Sequence, residues 1–429
     1  MSDSVIGVGI IGFGIVGQGT YDILRDNAET IERQVGRPVR VISVADLRSE
    51  LLAEKLDSSV LGTSDARALI NHPDIHIVCE LIGGVKPAGD FVRMAIEAGK
   101  HVVTANKELL AKQGPELLQL ADTNKCDFYF EASVGGGIPV ISPLRIGLAG
   151  NQIEKIIGIV NGTTNYILTR MAAHGEDMST VLKDAQELGY AEADPTNDIE
   201  GFDARYKINI LASLGFQARL NVEQILCEGI TKLQSADIEY ARELGYGVKL
   251  LAIAKRTDGY IEARVHPTLV PLSHPIASVS GVNNAIFITG NAVGDVMAFG
   301  PGAGGLAAGS AVVGDVIEIS RNIVCGATGR LKTAEFRDLP IRQSDDIVSR
   351  YYLRMQVKDH PGVLAAIASV FAEHQVSIAS MVQKNPEGER AEIVFLTHEV
   401  RERNLLDALD KIKALQDIDE VCSFIRVEE

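Results

Sequence analysis

The chain has 429 residues with 46% hydrophobic and 23% charged residues, an ordinary globular balance and room for about three domains. Lys plus Arg number 41 and Asp plus Glu 57, a formal net charge of -16, which argues against a nucleic-acid partner that needs a basic face. The five cysteines are scattered without CxxC spacing and Trp is absent; with no basic leader and no apolar run of membrane length, the expectation is a cytoplasmic protein in a reducing compartment, without a thiolate metal knot or a membrane span.

Val5 to Ile11 is a short apolar run, followed by Gly12-Phe13-Gly14-Ile15-Val16-Gly17 and a helical stretch predicted to run from Ile15 to about Gln34. Strand, glycine turn and helix together are the context in which GxGxxG reads as a dinucleotide fingerprint. Gly12 makes the tight turn, Gly14 lets a pyrophosphate near the backbone and Gly17 brings helix onto strand. The overlapping Gly7, Gly9 and Gly12 match is rejected because it would cut the strand short. The next strand, Val39 to Ala45, ends at Asp46. An acid there suits a ribose hydroxyl and hence NAD, whereas Arg48 two residues on permits the 2'-phosphate of NADP. The spacing from the glycine loop is long, so helix one or its loop is extended.

The alternation continues with a strand at Ile75 to Glu80, a helix at Lys86 to Ala98 stopped by Gly99, a strand at Val102 to Thr104, a helix to about Ala121 and a strand at Phe128 to Phe130. Repeated βα units predict a parallel sheet. Ligands sit beyond the carboxyl ends of such strands, where Asn106, Lys107, Glu131 and the Gly135-Gly136-Gly137 loop stand. The plain alternative for Lys107 is a solvated helix-start lysine.

Ile153 to Val160 reads as a strand ending in Asn161-Gly162-Thr163-Thr164-Asn165, with Thr163 or Thr164 as the helix cap. Between Gly189 and Leu214 a Pro/Asn loop holding Glu192 and Asp198 gives way to a helix with an Ile208, Leu211, Leu214 stripe. Asp203 and Lys207 lie four apart on one helical face. A solvated ion pair is the plain reading. Against it, Lys207 lies beside the apolar stripe, and the clustered acids suit a ligand with an amine and a carbonyl, the lysine donating a proton to an oxygen that gains charge. Helices are predicted at Val222 to Leu233 and Ser235 to Leu244, then strands up to Thr289. A second glycine loop, Gly300 to Gly305 with Gly302 inside it, precedes a long Ala/Val helix; it either closes over a cofactor phosphate or forms a tight packing corner.

Thr328 to Ser349 is polar and linker-like. Beyond it come a strand at Tyr351 to Val357, a turn at Asp359 to Gly362, a helix to about Glu373, strands at Val376 to Gln383 and Glu389 to Thr397, a helix at Asn404 to Leu415 and a strand at Val421 to Val427. That is the ferredoxin-like β-α-β-β-α-β order.

The chain resembles the homoserine dehydrogenase family, in its long form with a C-terminal ACT domain. The resemblance rests on Glu80–Gly84 (ELIGG), Thr104–Lys107 (TANK), Glu131–Pro139 (EASVGGGIP), Asn161–Asn165 (NGTTN), Glu192–Lys207 (EADPTNDIEGFDARYK) and Gly300–Gly305 (GPGAGG), in order, and on the ACT-like run Asp359–Ala368. It implies an α/β chain: a Rossmann-type NAD(P)-binding domain at 1–130, an α+β mixed-sheet catalytic and dimerisation domain at 131–325, a linker at 326–349 and a ferredoxin-like ACT domain at 350–429. The implied reaction is NAD(P)H-dependent reduction of L-aspartate 4-semialdehyde to L-homoserine. Lys207 would donate the proton, Lys107 would stand near nicotinamide and substrate, and Asp203 would orient them. Glu192 and Asp198, with Lys207, would hold the substrate. Gly12 to Gly17, Asp46, Arg48, Gly83, Thr104, Asn106, Lys107 and Gly302 would line the cofactor. Glu131 with the carbonyls of Val134, Gly136 and Ile138 resembles a site for sodium or another monovalent cation. The ACT domain implies feedback by L-threonine around Gly362, in a homodimer or homotetramer. Repulsion between Lys107 and Lys207 is expected to depress at least one of their pKa values. Two neighbouring dehydrogenase types fit less well: one needs a cysteine nucleophile, and Cys79 and Cys126 lie in or beside strands; the other needs a His/Glu pair, for which His266 and His274 have no setting. A nucleotide-sensing regulator on the same fold would need neither Lys207 nor Asp203.

Overall fold

The computed structural model describes residues 5–257, 259–331, 336–387 and 390–428. The chain gathers into two units, each built from three stretches: Met1–Ile156, Tyr206–Val222 and Asn284–Leu339 in the first, Ile157–Arg205, Glu223–Asn283 and Pro340–Glu429 in the second.

The first unit opens with β1 (Ile6–Ile11), α1 (Ile15–Asp26), α2 (Ala28–Val35), β2 (Val39–Ala45), α3 (Ser49–Lys55), β3 (Leu61–Thr63), α4 (Ala66–Ile70), β4 (Ile77–Glu80), α5 (Ala88–Glu97), β5 (His101–Thr104), α6 (Lys107–Asn124) and β6 (Phe128–Tyr129). The sheet order is β3-β2-β1-β4-β5-β6, every pair parallel, as the βα alternation predicts for a doubly wound nucleotide-binding sheet. β1 and β4 are buried at every position, so their runs are continuously apolar rather than alternating. The predicted single helix from Ile15 to Gln34 is two helices, because Asn27 leaves helical geometry (φ -102, ψ 16). The second of them fills the long spacing between the glycine loop and Asp46. The long helix Gly305–Cys325 returns to this unit and packs across α1: a Cβ on Gly19 would lie 2.2 Å from the Gly305 carbonyl oxygen. Val312, Val316 and Ile319 thereby join Val8, Ile10, Ile77 and Val103 in one core.

In the second unit the strands Tyr246–Thr257 and Tyr260–Pro271 pair antiparallel through twelve residues each. The C-terminal fold follows the predicted β-α-β-β-α-β order: Val348–Lys358, Val363–Glu373, Ile378–Glu387, Arg390–Thr397, Glu402–Lys413 and Ile418–Val427. Its four strands lie in the ferredoxin-like order fourth, first, third, second, all antiparallel. The last strand also pairs parallel with Tyr260–Pro271, through Thr268 with Arg426 and Leu269 with Val427. The C-terminal fold and the hairpin therefore share one sheet. Of the linker-like stretch, residues 332–335 lie outside the described residues, as does Glu389, where the third of these strands was predicted to begin. The described part holds the short strand Arg337–Asp338 and a 3-10 turn at Ser344–Asp346.

The helix predicted at Val222 to Leu233 is not formed. A 3-10 turn at Val222–Gln224 leads to the short strand Leu226–Cys227, paired with Arg264 and Val265. Gly229 then presses so close to Ile199 that a Cβ would lie 2.1 Å from its carbonyl oxygen. Tertiary pairing overrides the apolar spacing here, and glycine is a poor helix former in any case.

Asp237, fully buried on the helix Ser235–Glu243, ties that helix to the C-terminal sheet. Its carboxylate accepts from Arg354 Nε at 2.7 Å, Tyr352 Oη at 3.2 Å and Ser423 Oγ at 2.6 Å. Asp237→Ala strands the Arg354 charge, which keeps only Glu392 as a carboxylate partner, and is expected to cost about 3–5 kcal/mol. Replacing both partners, in Asp237→Leu with Arg354→Met, should recover most of that loss in urea unfolding; a double variant as unstable as the single one would contradict this account.

Candidate active site

In the first unit the glycine loop joins β1 to α1. Gly12 has φ +97, and a Cβ there would meet Ile82 and the Leu81 backbone below 3 Å. A Cβ on Gly17 would lie 2.1 Å from the Gly12 carbonyl oxygen, whereas one on Gly14 meets nothing within 4 Å. The loop is thus tight against its own sheet and open at Gly14. The N-terminus of α1 has no side-chain cap there, which leaves backbone N–H groups for a phosphate. Phe13 N–H donates to Asp46 Oδ2 at 2.7 Å, and Arg48 closes a fork on the same carboxylate at 2.8 Å from both Nε and Nη2. The Arg48 guanidinium holds the Asp46 carboxyl well below the usual carboxylate range. Beside this pair a cavity of about 580 Å3 is lined by Asp46, Arg48, Ser64, Arg67, Gly83 and Phe91 among others. Arg67 and Ser64 were not singled out from the sequence, because they belong to a stretch without recognisable periodicity.

Glu80, fully buried at the end of β4, organises the ends of two strands. It accepts from Ile82 N–H at 3.0 Å, Thr104 Oγ1 at 2.7 Å and Asn106 Nδ2 at 3.4 Å. Burial pushes its carboxyl up from the usual glutamate value. Asn106 in turn donates to the Gly84 carbonyl at 2.6 Å and caps α6 by accepting from Leu109 N–H at 3.1 Å. Lys107, half-buried, is the first residue of α6, so its backbone position is set by the Glu80–Thr104–Asn106 chain. The sequence places Glu80 at a strand end, but only the folded sheet shows that it organises two strand ends.

Glu131 is buried, and both carboxylate oxygens accept backbone N–H groups, from Val140, Ile141 and Ser142 at 2.6–2.7 Å. Its own N–H donates to Asp315 at 2.8 Å, whose carboxyl burial pushes well above the usual range. Gly136 has φ +57, and a Cβ there would lie 2.5 Å from the Gly302 carbonyl oxygen. The two glycine-rich loops therefore pack backbone on backbone at Gly136 and Gly302.

In the second unit the cap of the helix Gly162–His174 is Asn161, not Thr163 or Thr164: its Oδ1 accepts from Thr164 N–H at 2.9 Å. Being two residues nearer the strand, Asn161 has the extended backbone that a cap needs (φ -129, ψ 116). Its Nδ2 donates to Asp198 Oδ1 at 2.7 Å and to Asp203 Oδ2 at 3.0 Å. Carboxylates only accept, so the amide nitrogen must face them. These two carboxylates lie within about 6 Å of each other, where like charges repel by roughly 3 kcal/mol at an effective dielectric near 20. A ligand ammonium would relieve that repulsion. Glu192 is exposed and held at its backbone carbonyl by Gln186; it is not among the groups that Asn161 gathers.

The helix Phe202–Phe216 carries both Asp203 and Lys207. Both are buried, at 5% and 8% exposure, which removes the reading of a solvated ion pair. Ile208 and Leu211 are fully buried and Leu214 half-buried, as the stripe predicts. Asn165, unassigned from the sequence, binds a loop through the carbonyls of Gly281 and Asn283 at 3.0 and 3.1 Å. Lys249 Nζ donates to the Val279 carbonyl at 2.5 Å, and burial pushes its ammonium down to about 8. Burial pushes the Cys126 and Cys227 thiols up to about 11, and that of Cys79 higher still, the opposite of what a cysteine nucleophile needs. His266 is fully buried, and its imidazole is pushed well below its usual value by burial and by Arg426 and Arg264. Among the described residues no helix is long and apolar enough to cross a membrane, and no three His, Cys, Asp or Glu side chains form a metal-holding group.

Three family models match the chain: the NAD-binding domain of homoserine dehydrogenase at residues 12–131, homoserine dehydrogenase at 139–317 and the ACT domain at 351–417. The homoserine dehydrogenase of Neisseria gonorrhoeae is 44% identical over 429 residues, 99% of this chain and 98% of that one. That of Bacillus subtilis is 42% identical over 427 residues, with 99% and 98% coverage. A crystal structure of a homoserine dehydrogenase from Thiobacillus denitrificans superposes with a TM-score of 0.94 at 43% identity, covering 99% of this chain and 98% of that one. A hyperthermophilic archaeal homoserine dehydrogenase mutant in complex with NADPH has a TM-score of 0.64 at 28% identity, with 74% and 98% coverage.

Thr104→Val removes the hydroxyl that serves both Glu80 and the Asn106 N–H. It is expected to lower the unfolding free energy by about 1–3 kcal/mol. Urea denaturation measures it; a change inside about 0.5 kcal/mol would show that the buried glutamate does not depend on this bond.

Proposed function

This chain belongs to the homoserine dehydrogenase family, and we propose that it interconverts L-aspartate 4-semialdehyde and L-homoserine by the following assignment of its residues. The observation that carries the assignment is the Asn161 amide holding Asp198 and Asp203 together, with the buried Lys207 one turn beyond Asp203 on the same helix. Asp198, with Glu192 from the exposed loop, receives the substrate ammonium, an opposite charge that suits carboxylates. Lys207 donates its proton to the aldehyde oxygen as that oxygen gains negative charge, and takes it back in the reverse direction. Asp203 orients Lys207, and Lys107, set at the start of α6 by Asn106, adds a second positive charge beside the reacting groups. The nicotinamide, when bound, supplies the hydride and recovers it.

The cofactor we assign is NADPH in preference to NADH. Asp46 is engaged by Phe13 N–H and by the Arg48 fork, so it is poorly placed to accept from a ribose 2'-hydroxyl, while Arg48 and Arg67 line the same cavity as donors for a 2'-phosphate. Gly14, Ile15 and Val16 frame the pyrophosphate, and Gly83, Thr104 and Gly302 shape the nicotinamide end. The donor set at Glu131 fits a monovalent cation such as sodium: three backbone N–H groups use three of the carboxylate's roughly four lone-pair directions, and the loop offers the carbonyls of Val134, Gly136 and Ile138. Such an ion would fix the loop, and no chemical step passes through it. The ACT domain makes a small-molecule effector part of this reading, L-threonine being the assigned one. The enzyme works in the cytoplasm as a homodimer or homotetramer, on the route to threonine, methionine and isoleucine.

NADPH consumption with L-aspartate semialdehyde tests the reading. Lys207→Ala should lower kcat by about 10^2–10^4-fold without changing NADPH affinity, and Arg48→Ala should weaken NADPH about tenfold while touching NADH less. Addition of L-threonine should suppress turnover. Undiminished turnover in the Lys207 variant would contradict its role, and no turnover from folded wild-type protein would contradict the substrate.

A further inference from the structure

In the second unit Lys249, on the strand Tyr246–Thr257, is 7% exposed, and nothing in the proposed reaction calls on it. Its ammonium donates to two neutral oxygens, the Val279 carbonyl at 2.5 Å and Asn165 Oδ1 at 3.4 Å. Burial alone pushes its pKa down. A buried ammonium that meets only neutral acceptors costs stability where an apolar chain of the same length would not. Packing therefore does not call for a lysine at this position.

The hydrogen bonds of the neighbouring loop do call for one. Asn165, buried on the helix Gly162–His174, turns its Nδ2 toward three carbonyls: Gly281 at 3.0 Å, Asn283 at 3.1 Å and Val279 at 3.4 Å. An amide nitrogen has two N–H groups, so the most distant carbonyl, that of Val279, is left for the lysine. By donating to Oδ1 as well, Lys249 fixes which end of the Asn165 amide faces the loop. Thr169, one turn along the same helix, closes the set: its Oγ1 accepts from Gly281 N–H at 3.1 Å and donates to the Asn165 carbonyl at 2.6 Å. Held in this way, the loop brings the Val282 carbonyl against the helix start, where a Cβ on Gly162 would lie 2.7 Å from that oxygen. Gly162 follows Asn161, whose amide nitrogen serves both Asp198 and Asp203. Close-packed segments transmit a shift rather than absorb it, so release of the loop reaches the Asn161 amide through one residue.

We propose that Lys249, Asn165 and Thr169 are positioning residues that form a clamp for the substrate site: they hold residues 279–283 against Gly162, and that loop fixes the direction in which Asn161 presents its amide to Asp198 and Asp203. The inference rests on the reading of those two carboxylates as substrate-site groups. It gives the buried lysine a role that acts through Asn161.

The test uses the full-length protein as wild type, Lys249→Met and Thr169→Val. Each substitution keeps the side chain's shape closely and removes one polar group from the clamp. Two readouts are taken on each protein: hydrogen exchange of the amides at 279–283 by mass spectrometry, and initial rates over a range of L-aspartate semialdehyde concentrations at saturating NADPH. Both variants should exchange these amides about tenfold faster and raise KM for semialdehyde by about fivefold or more, with NADPH affinity within about twofold of wild type. A variant that is merely less stable loses active protein, which lowers apparent kcat and leaves KM where it was. Faster exchange with KM within about twofold of wild type in either variant would show a loop that is held but positions nothing. Unchanged exchange in either folded variant would show that the clamp does not hold the loop, and each of these results overturns the proposal. Should Lys249→Met fail to fold, Thr169→Val decides by the same two readouts. Wild-type protein without semialdehyde turnover would fail the functional reading, while exchange at the loop would still decide the clamp.

Discussion

One side-chain amide, that of Asn161, joins three pieces of chain that are distant in sequence. Its oxygen caps the helix Gly162–His174, and its nitrogen is shared by Asp198 and Asp203. Without that shared donor two carboxylates within about 6 Å would repel each other by roughly 3 kcal/mol and drift apart. With it, the loop bearing Asp198 and the first turn of the helix bearing Asp203 are fixed to the end of the strand Ile153–Ile159. The amide thus brings two carboxylates to one place at a strand end.

The first unit repeats the logic with a different side chain. Glu80 gathers Ile82, Thr104 and Asn106 at the carboxyl ends of β4 and β5. Burial costs this carboxylate, and the three donors offset much of the cost. In both units a buried polar residue at a strand end fixes the start of a helix, α6 in one and Gly162–His174 in the other. Each helix start carries one of the sequence motifs, Thr104–Lys107 in one and Asn161–Asn165 in the other. In the second unit the last strand of the C-terminal fold pairs with the long hairpin, and Arg426 on that strand reaches the segment packed beneath Asp198.

The parts of the fold legible in the sequence were those with strong local pattern. β1 with its glycine turn, the repeated βα units and the β-α-β-β-α-β order all announce themselves through periodicity and turn residues. The illegible parts were decided by contacts far away in sequence. β3 has three residues, none fully buried, so it shows no alternation. The segment after Val222 has helical spacing but pairs with Arg264 and Val265 instead. The α1 break falls at Asn27, which follows Asp26 and precedes the second helix as its N-cap; both are weak helix formers, but the apolar spacing runs on across them. In the site, Asp203 and Lys207 were visible as an i,i+4 pair beside an apolar stripe. The residues that position the site were not: Asn161 and Glu80 look like ordinary polar residues at strand ends until the strands are placed side by side.

Asn161→Asp isolates the central constraint, because it keeps the acceptor that caps the helix and removes the N–H donor shared by the two carboxylates. The measurement is kcat/KM for L-aspartate semialdehyde beside NADPH affinity and thermal unfolding of the same protein. This account predicts a loss of about a hundredfold or more in kcat/KM, with NADPH affinity retained. A variant that folds normally and keeps kcat/KM within about threefold of wild type would show that the Asn161 amide does not hold the substrate site together.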